Sequence, residues 1–516
     1  MTTPKGAVAA GHAETAAAAA DVLRDGGNAF DAALAGLAAA CVTEPVLCSL
    51  GGGGFLLALT SDGDSRVYDF FCQTPVAKLD ADALDFRPVD VDFGTTTQEF
   101  HTGLGTVATP GVIAGMFAVH QDLGCLPMSA IFAPAMHLAR TGVPLAPLQA
   151  DILRAVAPIF LASRSARSVY QNPQADDEVM PADTLLRMSG LADLLEELAR
   201  EGPDVFYAGP VVHEIVRLMR DGGSLSAADL SRFKVIRRRP LACEFDGARV
   251  LTNPAPSSGG PLIAFALALL KAETACNGAD RLVELARVMA LTNQARRDAG
   301  LADDCTSAKA ERLLSDAFLA TYRAEMAGRA LKVGGTTHIS VVDADGNAAA
   351  LSVSNGEGCG YLLPGTDVML NNMLGEEDIN PQGFFNWRPD SRISSMMAPT
   401  LIDDRHGRRV ALGSGGSNRI RSAVLQVIVN VLRRGLSLAD AIAAPRIHYE
   451  RGLLNVEAGQ DERALAVLAG RFPDEKHWPD RNFFFGGVHA AAFDPAARTF
   501  DGVGDPRRGG SAIVVR

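Results

Sequence analysis

The apolar runs of the chain, and the turn residues between them, predict one central hairpin with helices and strands on either side. A β-rich run (Ile339, Val341, Val342) and a second around Leu351 to Val353 flank Asp343-Ala344-Asp345-Gly346-Asn347. Asp and Gly there supply the positive φ of a tight turn, so this stretch reads as a β-hairpin. Upstream, residues 12–24 read as an Ala-rich helix closed by Asp25-Gly26-Gly27, where a Gly gives the left-handed cap. Asn28 caps a second helix to about residue 42, and Pro45 stops it. Residues 49–60 read as a glycine turn feeding a buried strand, with 65–71 as the next strand.

Further along, residues 105–122 predict a strand, a Pro-Gly turn and a helix. The region 126–240 predicts mostly helix, with amphipathic runs near 130–140, 185–201 and 211–220, and a loop over 172–183. Pro254 to Gly260 leads into an apolar helix through 272, and 307–331 predicts a helix running up to the hairpin. Short strands follow at 368–370, 410–412 and 490–493, with a helix at 422–434. There is no internal repeat and no low-complexity linker. Helices between groups of strands imply sheets covered by helices, a mixed α and β class.

At 516 residues, with 47% hydrophobic and 21% charged, the chain is long enough for a large buried core. Its net charge of −12, without a sustained Lys/Arg tract, argues against nucleic acid or an anionic membrane as partner. The start has no unbroken apolar signal core, and the run 29–42 contains Asp31 and is too short for a bilayer. The expectation is a cytoplasmic protein. Eight dispersed cysteines without Cys-x-x-Cys imply neither a zinc site nor a disulfide framework.

Chemistry narrows the picture again at the hairpin. Gly334 and Gly335 precede Thr336 and Thr337, and glycine can hold a strained peptide that other residues resist. If the Gly335–Thr336 bond is cut, Thr336 carries a hydroxyl nucleophile and a free α-amine to activate it. From the residues alone a surface hairpin with hydroxyls at its start competes with this reading, since Thr is common in strands. The ten histidines contain no His-x-x-x-His or His-Glu-x-x-His, so no metal is expected. Asp343-Ala-Asp345-Gly346 lacks the remaining ligands of a calcium loop. Four glycines at 51–54 lack the Gly-Lys-Ser/Thr of a phosphate loop, and no Gly-x-Ser-x-Gly elbow occurs at a strand-to-helix junction. No cofactor is expected.

The run Gly-Gly-Thr-Thr-His-Ile-Ser-Val-Val-Asp-Ala-Asp-Gly-Asn at 334–347 resembles the processing site of the γ-glutamyltranspeptidase (glutathione hydrolase) family of N-terminal-nucleophile hydrolases. Gly-Gly-Asn-Ala-Phe-Asp-Ala-Ala at 26–33, Leu-Gly-Gly-Gly-Gly-Phe at 50–55 and residues 105–122 are similar to the same family, in the same order. The resemblance implies an α+β fold, a four-layer αββα sandwich. It also implies a self-cut between residues 335 and 336. The products would be a large subunit, 1–335, and a small subunit, 336–516, held as a heterodimer around one core.

Site residues follow from the matching motifs. Thr336 is implied as nucleophile, and Ser354 stands where the family has a Thr bonded to it. Asn355, displaced by one position, matches an Asn that contacts the substrate carboxylate. Leu370-Asn-Asn-Met-Leu-Gly-Glu376 resembles a segment whose final acid grips the substrate ammonium, with Met373 in place of a polar contact. Ser394 and Ser395 match the serines that hold the carboxylate. The oxyanion amides fall at Gly415 and Gly416, or at Gly416 and Ser417, depending on how the motif is aligned. One departure stands out: Phe71 occupies the place of the family's carboxylate-binding Arg, leaving Arg388 and Arg392 as substitute cations.

The function implied is a self-processing amidohydrolase or acyltransferase. It would take a small γ-glutamyl or related acyl amide, form a threonyl acyl-enzyme and pass the acyl group to water or an amine. Two rivals remain: an acylase for non-glutamyl amides, like the cephalosporin acylases, and a paralogue that binds an amino-acid derivative without turnover.

Overall fold

The hairpin is the middle of the molecule because it joins strands from both ends of the chain. The structure is a computed structural model and describes residues 4–92, 97–272, 280–301, 304–322, 336–380, 382–472 and 474–516. Thr337–Asp343 pairs with Ala348–Ser354 on one side and Gly6–Ala10 on the other. The sheet continues through Gly53–Leu59, Ser65–Phe70 and Ile236–Arg238 at one edge, and Ser511–Val515 at the other. All seven strands run antiparallel to their neighbours.

A second antiparallel sheet of six strands faces it. Its order is Leu241–Phe245, Ala248–Thr252, Thr400–Asp404, Arg409–Gly415, Gly487–Asp494, Thr499–Val503. Strands from before and after residue 335 share both sheets. Helices Ala13–Arg24 and Ala29–Thr43 cover the outer face of the first sheet, and Gly259–Ala272 and Arg419–Leu432 that of the second. The layers are therefore helix, sheet, sheet, helix.

Small side chains set the spacing of the first layer. At Gly36 an added Cβ would lie 3.3 Å from Ile339 Cδ1, so glycine there lets helix and hairpin close up. Asn28 and Asp31 form a capping box at the start of that helix. The carboxylate of Asp343 also accepts the Ala29 amide at 2.9 Å. It takes Asp345 N at 3.0 Å, Asn347 N at 2.9 Å and Asn347 Nδ2 at 2.8 Å as well, and Gly346 turns at φ +91°. Asp343 thus ties the hairpin turn to a helix end, which is the turn reading of this motif.

Several expected elements differ. Residues 105–109 form no strand: Leu104–Thr106 is a 3-10 turn, and Thr109 makes a single bridge to Gln73. The expected loop over 172–183 holds a short hairpin, Gln171–Asn172 with Ala175–Val179. Helix 307–331 is broken into Ser307–Leu313 and Asp316–Tyr322, and its remainder lies outside the described residues. Helix Arg281–Asp298 was not expected at all. Among the described residues no helix is long and apolar enough to cross a membrane.

Candidate active site

Hairpin register decides which side chains meet. His338 pairs with Ser352 and Thr337 with Val353, so one further step puts Thr336 across from Ser354. Side chains at 336, 338, 340, 352 and 354 share the face toward the second sheet, because strand side chains alternate. His338 Nδ1 lies 2.7 Å from Ser352 Oγ and Nε2 lies 3.0 Å from Ser340 Oγ. Ser340 Oγ donates to His489 O at 3.1 Å. Its proton is thereby committed, so His338 carries its hydrogen on Nε2 and accepts from Ser352 at Nδ1. Burial, with His489 nearby, holds His338 well below the usual histidine range. The ring is neutral and acts as a strut.

Thr336 is 5% exposed at the mouth of this seam. Its carbonyl presses on Gly415, where a Cβ would stand 1.9 Å from the oxygen, so only glycine fits. Arg508 Nη1 donates to the same carbonyl at 3.5 Å. The chain then turns through Gly416 (φ +119°) and Ser417 (φ +47°) into helix Arg419–Leu432. Ser417 Oγ donates to Asp378, and Asn418 Nδ2 reaches Asp378 Oδ1 at 3.3 Å, which pins this turn. Amides leading into a helix N-terminus carry partial positive charge, suited to a developing oxyanion. Ser354, also buried, accepts from Gly356 N at 3.1 Å. Gly334 and Gly335 lie outside the described residues.

Asn355 and Glu376 sit together around Gly356. A Cβ at Gly356 would lie 2.2 Å from Glu376 Oε1. Among the described residues, neither Asn355 Oδ1 nor Glu376 Oε1 has a hydrogen-bond partner in the protein. Burial first, then Glu357 and Asp378, raise the Glu376 carboxyl well above its ordinary range. Ser394 Oγ donates to Pro256 O at 2.8 Å, and Ser395 Oγ accepts from Met397 N at 3.1 Å. Ser394 lines a cavity of about 250 Å³ with Thr74, Thr306, Ile379, Trp387 and Arg388. A narrower cleft runs from Ser394 and Ser395 to Asp378 and Ser417.

Two expectations on the carboxylate side need correction. Phe71 does not wall this cavity. Its ring is buried between the sheets, stacked on Phe55 at 5.5 Å. Arg392 is already used within the protein: it donates to Phe71 O, to Lys234 O at 2.6 Å, and lies 4.6 Å over the Phe233 ring. Arg392 still lines the cavity beside Arg388, which is exposed at its rim.

Four residues of the site were missed from sequence: Glu44, His338, Asp378 and Arg508. Only His338 had a local signal, as it shares the strand parity of Ser340 and Ser352. Among the described residues no group of three or more His, Cys, Asp or Glu could hold a metal ion.

The sequence pattern described as Gamma-glutamyltranspeptidase matches residues 15–515. The chain belongs to the γ-glutamyltranspeptidase family. It is 29% identical over 511 residues to the glutathione hydrolase proenzyme of Escherichia coli (strain K12), covering 90% of this chain and 85% of that one. It is 28% identical over 539 residues to the acylase ACY 1 proenzyme of Pseudomonas sp. (strain V22), covering 100% and 94%. Among solved structures, a cephalosporin acylase from Bacillus halodurans superposes with a TM-score of 0.85 at 23% identity, covering 99% of this chain and 96% of that one. The γ-glutamyltranspeptidase of Helicobacter pylori gives a TM-score of 0.53 at 22% identity, over 62% of this chain and 91% of that one. This γ-glutamyltranspeptidase family member therefore has the four-layer fold of that group, and it is an enzyme.

Proposed function

We propose that the chain is a self-processing N-terminal-threonine amidohydrolase or acyltransferase acting on a γ-glutamyl or related acyl amide. The observation that carries this reading is Thr336 at the head of its strand, with Ser354 across from it and the Gly415–Gly416 turn against its carbonyl. The relatives' names, glutathione hydrolase proenzyme and acylase proenzyme, support both the chemistry and the processing.

In this reading the chain is cut between Gly335 and Thr336, and the fragments 1–335 and 336–516 stay together because they share both sheets. The new α-amine titrates at about 7.7–8 and takes the Thr336 hydroxyl proton. The oxygen attacks the acyl carbonyl, and two successive amides, those of Gly415 and Gly416 or of Gly416 and Ser417, receive the oxyanion. Each such donor is worth about 3–4 kcal/mol. The ammonium returns the proton to the leaving amine as the C–N bond breaks, which leaves an ester on Thr336. Water or a second amine, deprotonated by the same group, releases the acyl product. Glu376 faces the substrate ammonium, with Asn355, Ser394 and Ser395 at its carboxylate end.

An acylase preference is the second reading, and one observation favours it. The position of the family's carboxylate-binding Arg is Phe71, and Arg392 is held by protein groups. A lost charged hydrogen bond of about 1.5–3 kcal/mol weakens recognition roughly 10- to 150-fold. The test is p-nitroaniline release from γ-glutamyl, glutaryl and neutral acyl anilides. We expect the glutaryl or neutral anilide to match or exceed the γ-glutamyl compound in kcat/KM. Release from none of them, by protein cut at Thr336, would overturn the amidohydrolase reading.

A further inference from the structure

Two buried ionisable side chains, neither of them used in the scheme above, stand on either side of the Thr336–Thr337 peptide. Glu44 follows helix Ala29–Thr43 and is 1% exposed. Its Oε2 accepts from Thr337 Oγ1 at 2.6 Å, and its Oε1 accepts from Thr15 Oγ1 at 3.0 Å. The Thr15 and Thr43 hydroxyls are 2.7 Å apart, which extends the network into both outer helices. Gly11 makes room for it: a Cβ there would lie 2.3 Å from Glu44 Oε2.

Arg508 comes from the C-terminal end and reaches the other side. Its Nη1 donates to Thr336 O, and both Nη atoms lie about where side chains at Gly415 and Gly416 would press, 3.2 Å from each added Cβ. Gly487 clears the path for its stem, since a Cβ there would lie 2.7 Å from Arg508 Cβ, Cγ and Cδ. Three glycines on two strands and a turn are thus shaped around one guanidinium. Burial raises Glu44 to about 7 against the pull of the Thr337 and Thr15 hydroxyls and of Arg508. Burial, with Arg419 adding to it, lowers Arg508 to about 10. Two groups kept in so costly an environment need a task.

We propose that Glu44 and Arg508 are a pair of positioning residues for the nucleophile, Glu44 acting through the Thr337 hydroxyl and Arg508 through the Thr336 carbonyl. Held at both ends, the peptide is restrained from rotating, which keeps the Thr336 hydroxyl and amine in one orientation beside the Gly415–Gly416 turn. Neither side chain needs to touch substrate. The inference rests on the nucleophile reading above.

The test uses mature enzyme and the best anilide of the panel, with kcat, KM and the fraction cut at Thr336 measured together. Glu44→Ala and Arg508→Ala are expected to lower kcat about 10- to 100-fold, as misplacement by an ångström does, with KM within about twofold. Glu44→Gln keeps an oxygen that accepts from Thr337 and is expected to recover most of kcat. Thr337→Val removes the gripped hydroxyl without touching either charge, and is expected to reproduce the kcat loss of Glu44→Ala. If the Glu44 variants do not fold, Thr337→Val decides alone. Wild-type kcat in Thr337→Val, a loss carried by KM, or Glu44→Gln as poor as Glu44→Ala would overturn the pairing. Failure of the wild type itself to cut or to release product would instead count against the nucleophile reading.

Discussion

The two ends of the site are built on different principles. Around Thr336 most polar groups find partners inside the protein: His338 between Ser340 and Ser352, Thr337 on Glu44, the Thr336 carbonyl on Arg508, whose Nε alone has none among the described residues. Around Gly356 the protein leaves Asn355 Oδ1 and Glu376 Oε1 without protein partners among the described residues. The first end is rigid before any ligand arrives; the second is completed by one. A buried unpaired polar atom costs about 1–3 kcal/mol, and a ligand that pairs it recovers that cost as binding energy. The difference teaches that chemistry here is fixed by the fold, while recognition is left to a few side chains that can change separately.

The sharpest way to break this contrast is to remove the proposed nucleophile. Thr336→Ala is expected to abolish processing and to lower turnover by about 10³-fold or more, while Thr336→Ser retains some of each. Gel analysis and anilide release measure both, and normal cutting by Thr336→Ala would move the nucleophile elsewhere.

Next comes the corrected residue. Because Phe71 packs on Phe55 between the sheets, Phe71→Ala should cost about 3–5 kcal/mol of unfolding free energy. It should leave the ratio of γ-glutamyl to glutaryl kcat/KM unchanged. Phe71→Arg should destabilise as well and gain no γ-glutamyl activity. A stable, γ-glutamyl-selective Phe71→Arg enzyme would show that the ring does face the ligand.

Glu44 offers a pH test of the rigid end. Its folded value of about 7 lies above the ordinary 4.5. The folded state therefore holds the proton more tightly. The stability this gives is full below about pH 4.5 and lost as pH rises through 7, about 3 kcal/mol in all. His338, His448 and His489 are lowered by burial and act with the opposite sign below pH 6.5. The measurement is thus the difference in unfolding free energy between Glu44→Gln and wild type across pH 4.5 to 8. The variant should gain on the wild type as pH rises; a flat difference contradicts the burial of a titrating Glu44.

The smallest effect belongs to the open end. Glu376→Gln should weaken amino-bearing acyl groups by about 1.5–3 kcal/mol, read as KM, and leave glutaryl anilide almost unchanged. Equal losses on both would place Glu376 in the scaffold instead.

How much of this was legible in the sequence follows the same division. The hairpin showed itself through its apolar runs and Asp-Gly turn, and helices 12–24 and 28–42 through their caps. Helix Arg281–Asp298 did not, because it is buried on most sides against Gly259–Ala272, Ile447–Glu450 and Glu462–Leu468, leaving no apolar stripe to read. The stretch 105–109 looked like a strand, yet its backbone bonds locally in a 3-10 turn and at one bridge. Thr336, Ser354 and the glycines of 413–416 were legible because each belongs to a contiguous motif. Glu44 was not, since it meets Thr337 across 293 residues. The exchange at Phe71 was visible, but its consequence depended on where the ring pointed, and the Phe55 stack decided that.

The most direct test of the account is an intact mass spectrum of the purified, denatured protein. The account predicts two fragments, residues 1–335 and 336–516, the smaller beginning with a free Thr336 that gains one acyl group when quenched with a slow anilide substrate. A single unbroken chain of 516 residues, or a cut anywhere but before Thr336, would contradict it.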